Sequence, residues 1–160
     1  MPGYVIRQAS DRAELDDHIR TAAAGFSMDE AIIRAVVLDD VLDRHDVAIY
    51  VGYADGRPVC TGAGVWTDDT VGVYNIATLE SAKRRGFGRA MTHRVLADGA
   101  AGGCTVGILQ SSDAGLALYE RLGFRTVIEY VGYTERSSER GDEALTPPSV
   151  RASTPEEPGH

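Results

Sequence analysis

Lys83-Arg84-Arg85-Gly86-Phe87-Gly88-Arg89 gathers four basic residues and two glycines into seven positions and contains the only lysine of the sequence. The residues before it, Tyr74-Asn75-Ile76-Ala77-Thr78-Leu79, are of strand-forming type, while Phe87, Ala90, Met91 and Val95 recur at helical spacing between Gly86 and Leu96. The basic turn therefore sits where a strand hands over to the first turn of a helix. Backbone N–H groups at such a terminus have no intrahelical partner and carry a partial positive charge, and glycines let a ligand approach the main chain. That is chemistry for holding phosphate. The turn lacks the G-x-x-x-x-G-K-S/T pattern of a P-loop and the G-x-G-x-x-G of a dinucleotide fold, which disfavours a nucleoside triphosphate or NAD. A surface turn with a solvated basic run is the competing reading.

A second constellation lies some 30 residues further on. Cys104 to Gln110 reads as a buried-type strand, and Ser111, Ser112 and Asp113 offer N-cap oxygens. Gly115, Leu118, Tyr119 and Leu122 then share one helical face before Gly123 stops the helix. Tyr119 brings a phenol to that face. Periodicity alone would read it as a core tyrosine.

The two constellations together resemble the signatures of the GNAT acetyltransferases (GCN5-related N-acetyltransferases). In that family the turn runs Gln or Arg, two residues, Gly, one residue, then Gly or Ala. Lys83, Gly86 and Gly88 occupy those places, with Lys83 departing from the usual Gln or Arg and Glu80 standing where many members have proline. The later signature, N-x-x-A-x-x-x-Y-x-x-x-G-F, is matched by Tyr119, Gly123 and Phe124, while Ser112 and Gly115 replace the Asn and Ala. The resemblance spans about residues 4 to 133. It implies an α/β (α+β) fold with a mixed, mostly antiparallel sheet of about six to seven strands and about four helices on both faces, the central strand splayed to form an acyl-coenzyme A cleft.

The resemblance also implies a function: direct transfer of an acetyl group from acetyl-coenzyme A, as cosubstrate and without a metal, to a primary amine. Lys83, Arg84, Arg85, Gly86, Phe87, Gly88 and Arg89 would take the pyrophosphate, chiefly through backbone amides. Ile76, Ala77 and Thr78 would pair with the pantetheine arm and supply an oxyanion donor. Ser112 belongs to the same cofactor-binding set, and Tyr119 is the candidate acid. Two places where better-known members carry a glutamate align with Gly72 and Gly107, so the general base stays open among a water chain, Asp68, Asp69, Tyr74 and Glu129. A non-catalytic acyl-coenzyme A sensor is the alternative, and a monomer or homodimer is expected.

Composition sets the remaining bounds. The chain has 160 residues, 43% of them hydrophobic and 25% charged, which suits one soluble globular domain. Its formal net charge of −8 argues against nucleic acid as main partner. Up to Tyr133 there are 13 Lys and Arg against 18 Asp and Glu, and four of the 13 lie between Lys83 and Arg89. Cys60 and Cys104 accompany no Cys/His cluster, so zinc is disfavoured, and no apolar run reaches the length of a membrane span. These features, with no signal-peptide pattern after Met1, give a cytoplasmic expectation.

The first strand is expected at Tyr4 to Gln8, with Ser10 or Asp11 capping a helix that carries Leu15 and Ile19. A second helix is expected from about Asp29, with a stripe of Ile32, Ile33, Val36, Val37 and Val41 and an acidic end at Asp39, Asp40, Asp43 and Asp46. Val47 to Tyr53 and Pro58 to Trp66 read as strands joined by an Asp55-Gly56 hairpin, followed by a turn at Thr67 to Thr70. Gly99 to Gly103 reads as a loop and Phe124 to Tyr133 as a last strand. His45 and His93 read as solvated. Residues 134–160, rich in Ser, Pro and Glu, are expected to be a disordered tail outside the 1–133 domain.

Overall fold

Residues 3–37, 40–131 and 150–153 are described by a computed structural model of the chain. They fall into two units that divide at Gly107 and Ile108.

In the first unit, β1 (Tyr4–Gln8), β2 (Val47–Ala54), β3 (Arg57–Thr67) and β4 (Thr70–Thr78) form an antiparallel meander. The β2–β3 turn places Asp55 at φ 50° and Gly56 at φ 76°. Positive φ at both central residues is what a tight hairpin matched to the strand twist requires, which is why Asp-Gly signals it.

Helices cover both faces of this sheet. On one face lies α1 (Arg12–Phe26). Its Leu15, Ile19, Ala22 and Ala23 form a buried cluster with Ile49 and Ala63 of the sheet and with Ile33 and Val41. Burial of side chains the size of Leu15 and Ile19 stabilises by about 1.5–3 kcal/mol each. The helix start is fixed reciprocally: the Asp11 carboxylate accepts from the Glu14 amide at 2.8 Å, and the Glu14 carboxylate accepts from the Ser10 amide at 2.9 Å. On the other face lies α3 (Phe87–Ala101), whose Phe87, Met91 and Val95 are buried. Gly62 and Gly64 of β3 make room for it: a Cβ on Gly62 would stand 2.7 Å from Met91 Cγ, and one on Gly64 3.0 Å from Val95 Cγ1.

Three sequence expectations are corrected here. The second helix, α2 (Glu30–Val36), is short. Ile33 is its buried residue, Ile32 and Val36 are 51% and 66% exposed, and Val41 belongs to a separate 3₁₀ turn. The stripe breaks because only one of its faces finds core to cover. Gly99 lies inside α3 rather than in a loop, buried against Val71, so the glycine serves close packing instead of chain reversal. The last strand of the 1–133 segment, β6 (Thr126–Tyr130), is shorter than expected, with Val131 beyond it.

The chain passes into the second unit within β5 (Val106–Ser111), which leads into α4 (Asp113–Arg121). The helix is stopped by Gly123 at φ 93°, with the Phe124 amide donating back to the Tyr119 carbonyl at 3.0 Å. Within the segment expected to be a disordered tail, Val150–Ser153 form β7, which lies between β5 and β6 and pairs antiparallel with both. Two strands with open ladder groups supply partners that local propensity cannot anticipate. The rest of that tail lies outside the described residues.

Candidate acyl-coenzyme A site

The basic turn begins where β4 ends. Leu79 donates to the Val59 carbonyl at 3.0 Å, closing the ladder, and Glu80–Ala82 then make one 3₁₀ turn anchored by the buried Ala82. Lys83 folds back on Glu80, Nζ to Oε2 2.6 Å, in an exposed pair. Arg84 at φ 60° and Gly86 at φ 87° reverse the chain into α3. For Arg84 this left-handed backbone is a strained position, of a kind that collects at ligand clamps.

The consequence is a row of free donors. The first bond of α3 runs from the Ala90 amide to the Gly86 carbonyl at 3.0 Å, and Gly86 gives the helix no side-chain cap. Among the described residues, none of the amides from Arg84 to Arg89 donates to a backbone or side-chain acceptor. The side chains of Lys83, Arg84, Arg85 and Arg89 are exposed around them. Phe87 locks the turn from below. It is 2% exposed, its ring lies 4.6 Å from that of Tyr4, and the Arg85 guanidinium stands 4.9 Å from its centroid. An anion of diphosphate size would meet convergent N–H groups, the positive end of a 15-residue helix and a surplus of cationic side chains.

The strand feeding this turn is irregular at the residues assigned to the thioester arm. Thr61 pairs with Ala77 but Ala63 with Tyr74, so two residues of β4, Asn75 and Ile76, stand opposite Gly62. Asn75 sits at φ 52°. A bulge of this kind bends a strand and re-aims its polar groups. Ile76 faces the α3 side, its Cδ1 2.7 Å from where a Gly62 Cβ would be. On the α1 side, Gly25 lets the last turn of that helix rest on Ala77 and Thr78: a Cβ there would be 2.9 Å from Ala77 Cβ and 3.2 Å from the Thr78 amide nitrogen.

Beneath β4 lies a buried thiol. Thr78 Oγ1 donates to Cys60 Sγ at 3.4 Å, and burial pushes the Cys60 pKa up to about 11, so it is held as an inert thiol. The Tyr4 hydroxyl beside it is buried without a hydrogen-bond partner among the described residues, and desolvation, followed by the neighbouring Cys60, raises its pKa.

No carboxylate stands at position 72 or 107. Gly72 is buried and the Tyr74 ring closes over it, occupying the space a side chain would need. Asp69 is engaged at the other end of β4, where its carbonyl accepts the amides of Thr105 and Val106 at 2.7 and 3.1 Å and its carboxylate accepts the Thr105 hydroxyl at 3.2 Å. His45 and His93 are exposed. Sequence reading passed over His18. It is wholly buried in α1, with Nδ1 on Thr61 Oγ1 of β3. The Thr61 hydroxyl donates to the Tyr50 carbonyl at 2.8 Å, so its single proton is used and His18 carries its own on Nδ1. Nε2 is buried with no partner among the described residues, and desolvation lowers the His18 pKa to about 4 against a smaller raising effect of the Tyr50 backbone. The signal that could have found it was position: His18 lies one before Ile19 and three after Leu15, on the apolar side of α1.

In the second unit, Ser112 occupies the N-cap position of α4 without a side-chain cap bond. Its carbonyl accepts the amides of Gly115 and Leu116 at 2.9 and 3.1 Å and the Ser111 hydroxyl at 2.7 Å. Tyr119 is 8% exposed and meets Phe124 edge-on, ring centroids 6.1 Å apart. A Cβ on Gly115 would stand 3.1 Å from the Tyr119 ring and 3.0 Å from Ser111 Oγ, so glycine in place of the signature alanine leaves that ring more room.

A cavity of about 500 Å³ opens at the C-terminal end of α3, lined among others by Arg44, His45, Tyr50, Trp66 and Asp98, and so lies at the far end of the helix from the basic turn. Among the described residues no group of three or more His, Cys, Asp or Glu is placed to hold a metal, and no helix is long and apolar enough to cross a membrane.

Comparison with known proteins fits this geometry. Solved structures share the fold at low identity. The ribosomal-protein-S18-alanine N-acetyltransferase of Escherichia coli matches with a TM-score of 0.73 at 16% identity over 95% of this chain and 92% of its own. The IAA acetyltransferase of Bacillus cereus matches at 0.70 and 16%, over 95% and 98%. A candidate acetyltransferase of Pyrococcus horikoshii matches at 0.73 and 18% over 89% of this chain, which spans about half (51%) of that longer protein. No curated protein sequence gives a significant match. Residues 45–126, just over half of the chain, match the family described as acetyltransferase (GNAT) domain. With its mixed α/β architecture and four helices among the described residues, the chain belongs to the GNAT acetyltransferases.

Proposed function

We propose that the chain transfers an acetyl group from acetyl-coenzyme A to a primary amine of a small-molecule or peptide acceptor. The observation that carries this reading is the row of uncommitted amides from Arg84 to Arg89 at the start of α3. The amides of Gly86, Phe87 and Gly88 bind the diphosphate, and Lys83, Arg84, Arg85 and Arg89 balance its charge. Ile76, Ala77 and Thr78 hold the pantetheine arm through their backbone, one amide facing the oxyanion, and Ser112 contributes to the cofactor side. The amine nitrogen attacks the thioester carbonyl and the C–S bond breaks. Tyr119 gives its proton to the departing sulfur, and the proton lost by the amine passes to a base other than positions 72 and 107, which are glycines: a water chain, Asp68, Asp69, Tyr74 or Glu129.

The same two glycines favour a second reading, a module that binds acyl-coenzyme A without turning it over. Calorimetry with acetyl-coenzyme A, followed by thiol release with a panel of amines, tests both. Transfer predicts binding and acceptor-dependent release, with Tyr119→Phe lowering turnover ~10²-fold while affinity stays nearly unchanged. Binding without release supports the sensor, and no heat on titration removes both readings.

A further inference from the structure

β1 and β2 are in register with Tyr4 opposite Ala54, so on the same face of the sheet the diagonal neighbour of Tyr4 is Gly52. Gly52 stands opposite Cys60 of β3, and Cys60 opposite Thr78 of β4. Because Gly52 has no side chain, the Tyr4 ring lies down over this row. A Cβ there would stand 2.9 Å from the ring atoms Cε2 and Cζ and closer still to the hydroxyl. The hydroxyl comes near the Cys60 thiol that accepts from Thr78 Oγ1. Tyr4 thus reaches from the edge strand toward the end of β4, where the basic turn begins.

The start of α3 stands on this ring. Phe87, the first residue of the helix, is buried with its ring centroid 4.6 Å from that of Tyr4 and the planes at 40°, and the Arg85 guanidinium lies 4.9 Å from the Phe87 centroid. Arg85, Phe87, Tyr4 and Gly52 form a column that runs from the exposed turn down to the sheet. Amides in the first turn of a helix have no intrahelical acceptor to aim them, so their direction follows the seating of the side chains they carry. The ring does the seating here. The hydroxyl is buried with no hydrogen-bond partner among the described residues, which costs stability and adds none.

We infer that Tyr4 is a positioning residue for coenzyme A: its ring seats Phe87 and thereby aims the amides of Phe87 and Gly88 at the diphosphate. This rests on the cofactor site proposed above, and it holds for transfer and for binding without turnover alike.

The test is calorimetry of the full chain with acetyl-coenzyme A. Tyr4→Phe keeps the ring and should bind within ~2-fold of the unaltered chain. Tyr4→Leu removes the ring, and Gly52→Ala lifts it from below without altering the basic turn. Each should weaken binding by ~10-fold, about the loss of one hydrogen bond to a charged group. Combined, they should lose no more than Tyr4→Leu alone, since both act on one contact. Ile19→Val thins the core on the opposite face of the sheet, so it should unfold at lower urea and bind unchanged. Should Gly52→Ala fail to fold, the two Tyr4 variants decide the matter, because they leave the backbone under the ring as it is. Undiminished affinity in Tyr4→Leu, an equal loss in Tyr4→Phe or Ile19→Val, or additive losses in the double variant overturns the inference and leaves the cofactor site standing. No heat from the unaltered chain overturns the cofactor site and the inference with it.

Discussion

Gly86 shows how much the candidate site depends on backbone rather than side chain. A Cβ added there would meet nothing within 4 Å, yet φ is 87°. Gly86→Ala therefore acts through conformation alone, and left-handed backbone costs an ordinary residue roughly 1 kcal/mol or more. The expected outcome is a stability loss of about 1 kcal/mol in urea unfolding and a fall in acetyl-coenzyme A affinity of ~10-fold as the amides of Phe87 and Gly88 turn away. Gly56→Ala in the β2–β3 hairpin, at φ 76° and equally unhindered, is the control. It should lose similar stability and no affinity, and equal affinity losses in both variants would take the diphosphate away from this turn.

At the scale of elements, the site is positioned by how closely α3 and α1 approach the sheet, and glycine sets both distances. Gly99 lies inside α3, where alanine would gain about 1 kcal/mol in helix propensity. A Cβ there would sit 2.7 Å from Val71 Cβ, inside van der Waals contact with a branched side chain of β4. Overpacking of this kind costs typically about 1–3 kcal/mol, so Gly99→Ala is expected to lower the unfolding midpoint. A raised midpoint would mean that the α3–β4 contact is looser than described. Sequence periodicity reads the two helices and the meander because each has one apolar face. It misreads Gly99 because the same residue type serves a chain break or a close approach, and only the partner strand distinguishes them. The α2 stripe fails for the matching reason, since an apolar pattern says which residues could be covered and not whether anything covers them.

For the whole molecule, His18 ties stability to pH. The unfolded chain binds a proton near pH 6.5, whereas the buried imidazole of the folded protein resists it until about pH 4. Desolvation is the main cause, and Nε2 has no acceptor for the added proton among the described residues. Between those values the unfolded state holds more protons, so stability is complete at pH 7 and falls as pH drops from about 6.5 to about 4, by ~3 kcal/mol. Urea midpoints at pH 7 and pH 4.5 measure this. His18→Asn should flatten the difference, and an equally steep loss in that variant would assign the acid sensitivity to other groups.

The sequence by itself determined the architecture and the address of the basic turn. Hairpin chemistry at Asp55-Gly56, helical spacing in α1 and α3, and two glycines among four basic residues are local requirements, and local requirements are written in order along a chain. Tertiary structure alone decided what those pieces meet. The bulge opposite Gly62, the buried imidazole of His18 on Thr61, the rest of α1 on Ala77 and the exposure of Phe26, Met28, Ile32 and Val36 all depend on residues far apart in the chain. Burial and close approach are properties of pairs of elements, and no window along one element contains them.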